Sequence, residues 1–309
     1  IAAWMAQHPT EAGGRTREQV WAAYGDRLVF AYQGLVKTNQ LTAALEAGSR
    51  ALRYVVRANA FEKLGAFASE LVTSTNDPRV LRPLLPELEH AVIAAPPGNA
   101  RWSARTFLAD ALRLGGQPDA SLPHYAAAAA EAQSAQALSD LGWITGNWAI
   151  ALVMCGQLEA SQEKHRKSAL LKERAGQPAA NVLGSELEVL RIDVMLGRAA
   201  EALPEIESRL AHIRAWWEAI RRGEPVPEAP DVESLGRVLI SALDIAREAH
   251  LHLEQWELVL DRIGEKIAVK QARRASEHEI ARDRFNRYGP LLRLGRLSEA
   301  QRELEQCLE

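Results

Sequence analysis

Cysteine is scarce in this sequence. Cys155 and Cys307 are the two present, almost four lengths of the chain's internal repeat apart. Stacked repeats would hold them beyond disulfide reach. Cys155 directly precedes a turn glycine, where related turns carry leucine, so a small, buried apolar role is expected of it. Long apolar runs are missing too, which excludes a spanning helix. No leader or lipidation pattern is visible, and the reading is cytoplasmic, with no membrane partner. Neither sign of charge dominates: 37 basic residues face 40 acidic ones, a net charge of −3. That balance argues against a nucleic-acid or membrane surface. Phosphate-loop, nucleophile-elbow and paired-histidine zinc motifs are absent. No catalytic residue, metal ligand or cofactor is therefore assigned, and the chain is read as a non-enzyme.

What the sequence does hold is helix-forming residues in a repeating pattern. It is 47% hydrophobic and 25% charged, enough to bury a large core and too apolar for disorder. Alanine, leucine, glutamate and arginine dominate, and β-branched residues are sparse. The stretch Leu292–Ala300, LRLGRLSEA, reads as one helix stopping at a glycine and another starting at once. Variants occur at Leu112–Ala120, Leu152–Ser161 and Val194–Ala202. The anchors Gly115, Gly156 and Gly197 are 41 residues apart, a period that marks stacked repeats. A further copy has Glu254 at the glycine position, 41 residues before Gly295.

Taken in order, the chain begins with irregular residues, then a helix capped by Thr16 with a stripe of Trp21, Tyr24, Leu28, Val29, Tyr32, Leu35 and Val36. Asn39 replaces glycine at the next turn, a partner helix runs from Leu41 to about Arg57, and a degenerate turn lies around Asn76. Pro83 and Pro86 shorten or bend the helix behind that turn, and residues 95–99 form a break. Residues 1–99 are read as degenerate helical repeats and 100–309 as regular ones. The proline-rich segment 223–231 interrupts them as a stiff exposed insertion, after an unusually long helix through Trp216 and Trp217. The chain starts at Ile1 and stops at Glu309 inside a helical pattern. It is expected to be part of a longer protein, with other domains of that chain among its partners.

The spacing of Gly295, Leu297 and Ala300 resembles the tetratricopeptide repeat, with glycine, a large apolar residue and alanine at those offsets. Gly146-Asn147-Trp148-Ala149 is similar to the family's first helix, shifted by several residues. The period of 41 exceeds the family's roughly 34, so longer helices are expected. The resemblance implies an all-α fold: a right-handed superhelical solenoid of antiparallel helix pairs, about seven repeats in all. It implies a scaffold or sensor module binding a protein or peptide segment, in a setting like that of large bacterial signalling proteins.

In repeat arrays the first helices line the concave face. That places Arg105, Trp143, Asn147, Glu188, Arg191, Asp244, Arg282 and Asn286 near one partner-binding surface. Asn147 and Asn286 both lie nine residues before their anchors, and asparagine has little reason to recur in mid-helix. Trp102 and Trp143 share position −13, which suits either a groove or packing between repeats. His124 and His165 share position +9 and are expected to face one another across adjacent repeats, a poor metal site without a further ligand. His278, between Glu277 and Glu279, reads as a solvated helix start. The basic stretch Lys266–Arg296 is interleaved with acids and reads as a salt-bridged helix face. A nucleic-acid-sensing solenoid and a metal-dependent enzyme are the competing readings.

Overall fold

A computed structural model of the chain describes residues 16–38, 40–61, 63, 67–68, 71–72, 77–226 and 231–308. Asn39, Asn76 and the prolines at 227 and 230 lie outside the described residues. Among these residues every regular element is helical. The chain divides between Gln157 and Leu158 into two compact units.

In the first unit the helices are α1 (Arg17–Lys37), α2 (Leu41–Arg57), α3 (Pro78–Leu81), a 3₁₀ turn (Arg82–Leu84), α4 (Leu85–Ala94), α5 (Asn99–Leu114), α6 (Pro118–Ser134) and α7 (Leu138–Met154). Thr16 caps α1 as expected: its Oγ1 accepts from the Gln19 amide at 3.3 Å, and Gln19 Oε1 accepts from the Thr16 amide at 2.9 Å. This reciprocal pair satisfies two donors that a helix start leaves over. Pro83 and Pro86 fall at the starts of the 3₁₀ turn and α4, where a missing amide proton costs nothing. The stripe of α1 packs inward on α2, with Tyr32 buried and edge-on to Phe67 at 5.6 Å. Helices approach closely here: a methyl group at Gly48 would sit 2.7 Å from Leu71 Cδ1.

The second unit holds α8 (Leu158–Arg174), α9 (Ala179–Met195), α10 (Ala199–Arg221), α11 (Val232–His252), α12 (Trp256–Ala272), α13 (Glu277–Phe285), α14 (Tyr288–Arg293) and α15 (Leu297–Leu308). Its main core joins α9, α10 and α11 through Leu187, Ile206, Leu210, Ile213, Leu239 and Leu243. Burying each such side chain contributes roughly 1.5–3 kcal/mol. Helices α6, α7, α8 and α9 are each 17 residues long. Helices α10 and α11 run to 23 and 21 residues. Part of the extra length attributed to the insertion is thus taken up by the longer flanking helices.

One backbone turn closes most of these helices. At Gly156 the amide donates to Val153 O at 2.9 Å, and the next amide, of Gln157, reaches back to Leu152 O at 2.9 Å. The same two bonds recur around Asn59, Gly116, Gln136, Gly176, Gly197, Gly223, Glu254, Arg274 and Gly295, each with positive φ. This is the left-handed closure that satisfies a helix's last carbonyls. Glu254 occupies the glycine position with φ 57°, as the spacing predicts. From Gly116 to Gly197 the closure recurs every 20 or 21 residues, so turns within and between helix pairs are alike.

The first anchor moves by one residue. Gly115 has φ −75° and ends α5 in an ordinary cap, while Gly116, at φ 82°, makes the turn. Ser121 is fully buried and matches Ser161, Ala202 and Ala300, whereas Ala120 is exposed. Trp102 and Trp143 consequently lose their equivalence, and so do His124 and His165. Trp102 is buried with its Nε1 donating to Asp140 at 3.1 Å, while Trp143 is 44% exposed.

Candidate partner-binding face

Counted from the turn residue, positions −13, −9, −6 and −2 of a first helix are spaced by four, three and four residues. That spacing puts them on one helical face. On α7 these are Trp143, Asn147, Ile150 and Met154, of which Trp143, Ile150 and Met154 are all exposed large apolar side chains. On α9 they are Gly184, Glu188, Arg191 and Met195. A Cβ on Gly184 would meet nothing, and Met195 is exposed.

Asn147 faces inward enough to serve the core of the first unit. Its Nδ2 donates to Asp110 Oδ2 at 3.2 Å, and Asp110 Oδ1 accepts from Tyr125 Oη at 2.5 Å and from Arg113 at 3.2 Å. Burial pushes the Asp110 carboxyl up, against the pull of Arg113 and these hydrogen bonds. Burial also pushes the Tyr125 phenol up. Arg105 is held at 3.0 Å by Glu131 of α6, which also takes Arg101 at 3.1 Å. Burial, followed by the charge of Arg105, pulls the His124 imidazole down.

In the second unit three of the anticipated residues join one ladder of opposite charges. Glu188 pairs with Arg191 at 3.3 Å, and Arg191 donates to Ser241 Oγ at 3.3 Å and reaches Glu248 at 3.9 Å. Glu248 meets Arg247 at 3.3 Å; Arg247 meets Asp244 at 3.5 Å; Asp244 takes Lys266 at 2.8 Å. Lys266 and Lys270 then close on Asp283 at 2.9 and 2.6 Å. Burial raises the Glu188 carboxyl, opposed by Arg191 and helped by Glu248. Burial would raise Asp283 also, but hydrogen bonds from Lys270 and Lys266 hold it below its ordinary value.

Arg282 and Asn286 are exposed at the end of α13. Asn286 is a cap rather than a mid-helix residue: the first helix of the last pair breaks there, and its amide donates to the Arg282 and Asp283 carbonyls. Within the basic stretch, Lys266 and Lys270 are ion-paired with Asp244 and Asp283, and both lysines are buried. His278 does sit in an exposed helix start, where Ser276 and Glu279 cap one another.

Among the described residues no three His, Cys, Asp or Glu side chains converge as metal ligands. No described helix is long and apolar enough to cross a membrane. Two features escaped the sequence reading. Lys172, pulled down to about 8 by burial, lies 3.0 Å from Ser185 Oγ, which lies 3.1 Å from Ser168 Oγ. All three groups are buried between α8 and α9. His250, also buried, bridges Glu207 at 3.1 Å and Gln255 at 2.6 Å, and Arg262 completes the group on Glu207. Cys155 is half-buried, and burial, with Asp119 beside it, pushes its thiol up to about 11. A raised thiol pKa favours the protonated, less nucleophilic form.

No family model matches the sequence, and no curated protein matches it either. Solved structures do match. A point variant of the nearly identical TPR-like repeats of a Podosopora anserina kinesin-light-chain protein is 14% identical, over 70% of this chain and 98% of that one, with a TM-score of 0.51. A Rap protein complexed with competence and sporulation factor is 11% identical, over 91% of this chain and 72% of that one, with a TM-score of 0.53. The fold is that of TPR-like helical repeats.

Proposed function

We propose that the chain is a non-catalytic binding module that holds a peptide or protein segment on the exposed face of its first helices. The observation that carries this reading is the stripe on α7, where Trp143, Ile150 and Met154 stand exposed at helical spacing. Large apolar side chains aligned on one face present to water a surface that a partner can cover. Tryptophan is also the residue type most often found at the energetic centre of interfaces. In the second unit the ladder through Glu188, Arg191 and Asp244 offers both charge signs, which favours a mixed-polarity segment over a polyanion. The Rap protein of this fold, captured with competence and sporulation factor, supports the reading by likeness of fold. Nucleic-acid binding loses its main motive, because Lys266 and Lys270 are buried against carboxylates.

Selection of random peptides displayed on phage tests the proposal. Peptides enriched on the native chain should bind at least about tenfold more weakly to Trp143→Ala/Ile150→Ser, as expected when an interface anchor is truncated. Their binding should change little in 50 to 200 mM salt, whereas a phosphate-binding surface would lose affinity steeply. Enriched peptides indifferent to the double substitution would overturn the assignment of the face.

A further inference from the structure

Helix α9 carries a second, different surface. Val182, Glu186 and Val189 are two residues out of step with Gly184, Glu188 and Arg191. At 100° per residue this sets them on nearly the opposite side of the helix. There, Val182, Val189 and Leu190 of α9 and Leu170 of α8 floor a recess of about 350 Å³. Leu170 is 53% exposed, so the apolar floor of the recess is open to water.

The rim is charged and unbalanced. Arg209 of α10 is already committed to two carboxylates, Glu205 at 2.7 Å and Glu186 at 2.8 Å. Glu173 and Arg166 of α8 complete the rim. Three carboxylates thus stand against two guanidinium groups around an apolar floor. Arg166, Ala169, Leu170 and Glu173 recur at i, i+3, i+4 and i+7, the row on which another helix packs its own ridge.

We propose that this recess is a docking site separate from the first-helix face. Its occupant is an amphipathic helix of a partner protein, with a branched aliphatic side chain seated on Leu170 and Val189. One turn along that helix, a lysine or arginine meets Glu173 and the shared Glu186 and Glu205 carboxylates. At about 350 Å³ the recess has room for a side chain. The excess of one carboxylate selects a basic flank over an acidic one.

The test uses the full chain with labelled leucine and valine methyl groups, observed by NMR. The probe is a capped, alanine-based helical peptide of about 20 residues, with two leucines one turn apart and lysines flanking them. A second probe has glutamates in place of those lysines. The lysine peptide should shift the methyl signals of Leu170, Val182, Val189 and Leu190 and bind about fivefold more tightly than the glutamate peptide. Glu173→Arg should reverse that order, and Leu170→Asp should abolish the shifts; both positions are exposed, and an unchanged thermal melt will show that the fold is kept. No shifts at these methyls up to millimolar peptide would overturn the proposal, as would a preference for the glutamate peptide. Self-association of the chain abolished by Leu170→Asp would assign the recess to a second copy and overturn it as well. The phage experiment reads Trp143 and Ile150, so the two readings fail independently.

Discussion

Asn147 of α7 donates its side-chain amide to Asp110 of α5 at 3.2 Å, so a residue on an exposed helical face also reaches into a buried network. Its removal leaves one oxygen of a buried carboxylate without that donor. Asn147→Ala is predicted to cost about 1–3 kcal/mol in chemical denaturation. Asn147→Asp should cost more, because it sets a second carboxylate against Asp110. A peptide-binding defect in Asn147→Ala therefore has to be separated from lost stability by a denaturation curve of the same variant.

Gln136, Glu254 and Arg274 hold the left-handed turn without being glycine, and all three side chains are exposed. Replacing any of them by glycine removes roughly 1–2 kcal/mol of backbone strain and adds a smaller entropy to the unfolded chain. Each substitution is predicted to stabilise the fold by about 0.5–1 kcal/mol, read as a shifted denaturation midpoint at constant slope. Destabilisation in all three would mean that their side chains hold the turns.

Burial, followed by the charges of Lys172 and Arg191, pulls the His165 imidazole from its ordinary 6.5 down to about 4. Between these values the unfolded chain binds the proton and the folded chain does not. Stability is therefore lost as pH falls from 6.5 towards 4, by up to ~3 kcal/mol. His165→Gln should flatten the pH dependence in that window relative to the native chain. Lys172, ordinarily at 10.5 and here about 8 through burial, predicts a separate rise in stability from pH 8 to 10.5. Lys172→Met should remove that rise and, by taking away one of the two charges that lower His165, make the acid limb shallower.

Asp283 is 1% exposed and held by two buried lysines. Asp283→Asn leaves both ammonium groups short of their carboxylate and is predicted to cost about 3–5 kcal/mol. The triple change Lys266→Met/Lys270→Met/Asp283→Leu should recover most of that loss. Calorimetric melting of the single and triple variants compares them directly; equal destabilisation would show that packing rather than charge decides the site.

The repeat period was legible because a helix closure demands a particular backbone, and glycine records it in the sequence; the turn at Glu254 was legible only by counting one period back from Gly295. The half-period was not legible, since Gly176 and Gly223 record it only in part, while Gln136 and Arg274 adopt the same closure without announcing it. The doublet Gly115-Gly116 hid the register by one residue, and with it the true partners of Trp102, Trp143, His124 and His165. Glu188, Arg191 and Asp244 were legible as polar positions on first helices, but not as one ladder. Glu248 and Arg247 share α11 with Asp244, but the rungs Arg191–Glu248, Asp244–Lys266 and Lys266–Asp283 join different helices, and which side chains meet across helices is not written in the spacing. A buried lysine looks like a solvated one until its carboxylate is located, and that is a tertiary fact.

The closure that ends these helices is made of amides and carbonyls alone, so it works as a coupling indifferent to what it joins. It closes the 23-residue α10 at Gly223 with the same two bonds that close the 17-residue α9 at Gly197. Helix length and joint are thereby decoupled: a helix six residues longer is still stopped by the same fitting. For engineering, this makes the segment after Gly223 a natural port. Sequence spliced in beyond Glu224 would leave behind it a helix already finished, and ahead of it the cap that Asp231 supplies to α11 at 2.9 Å.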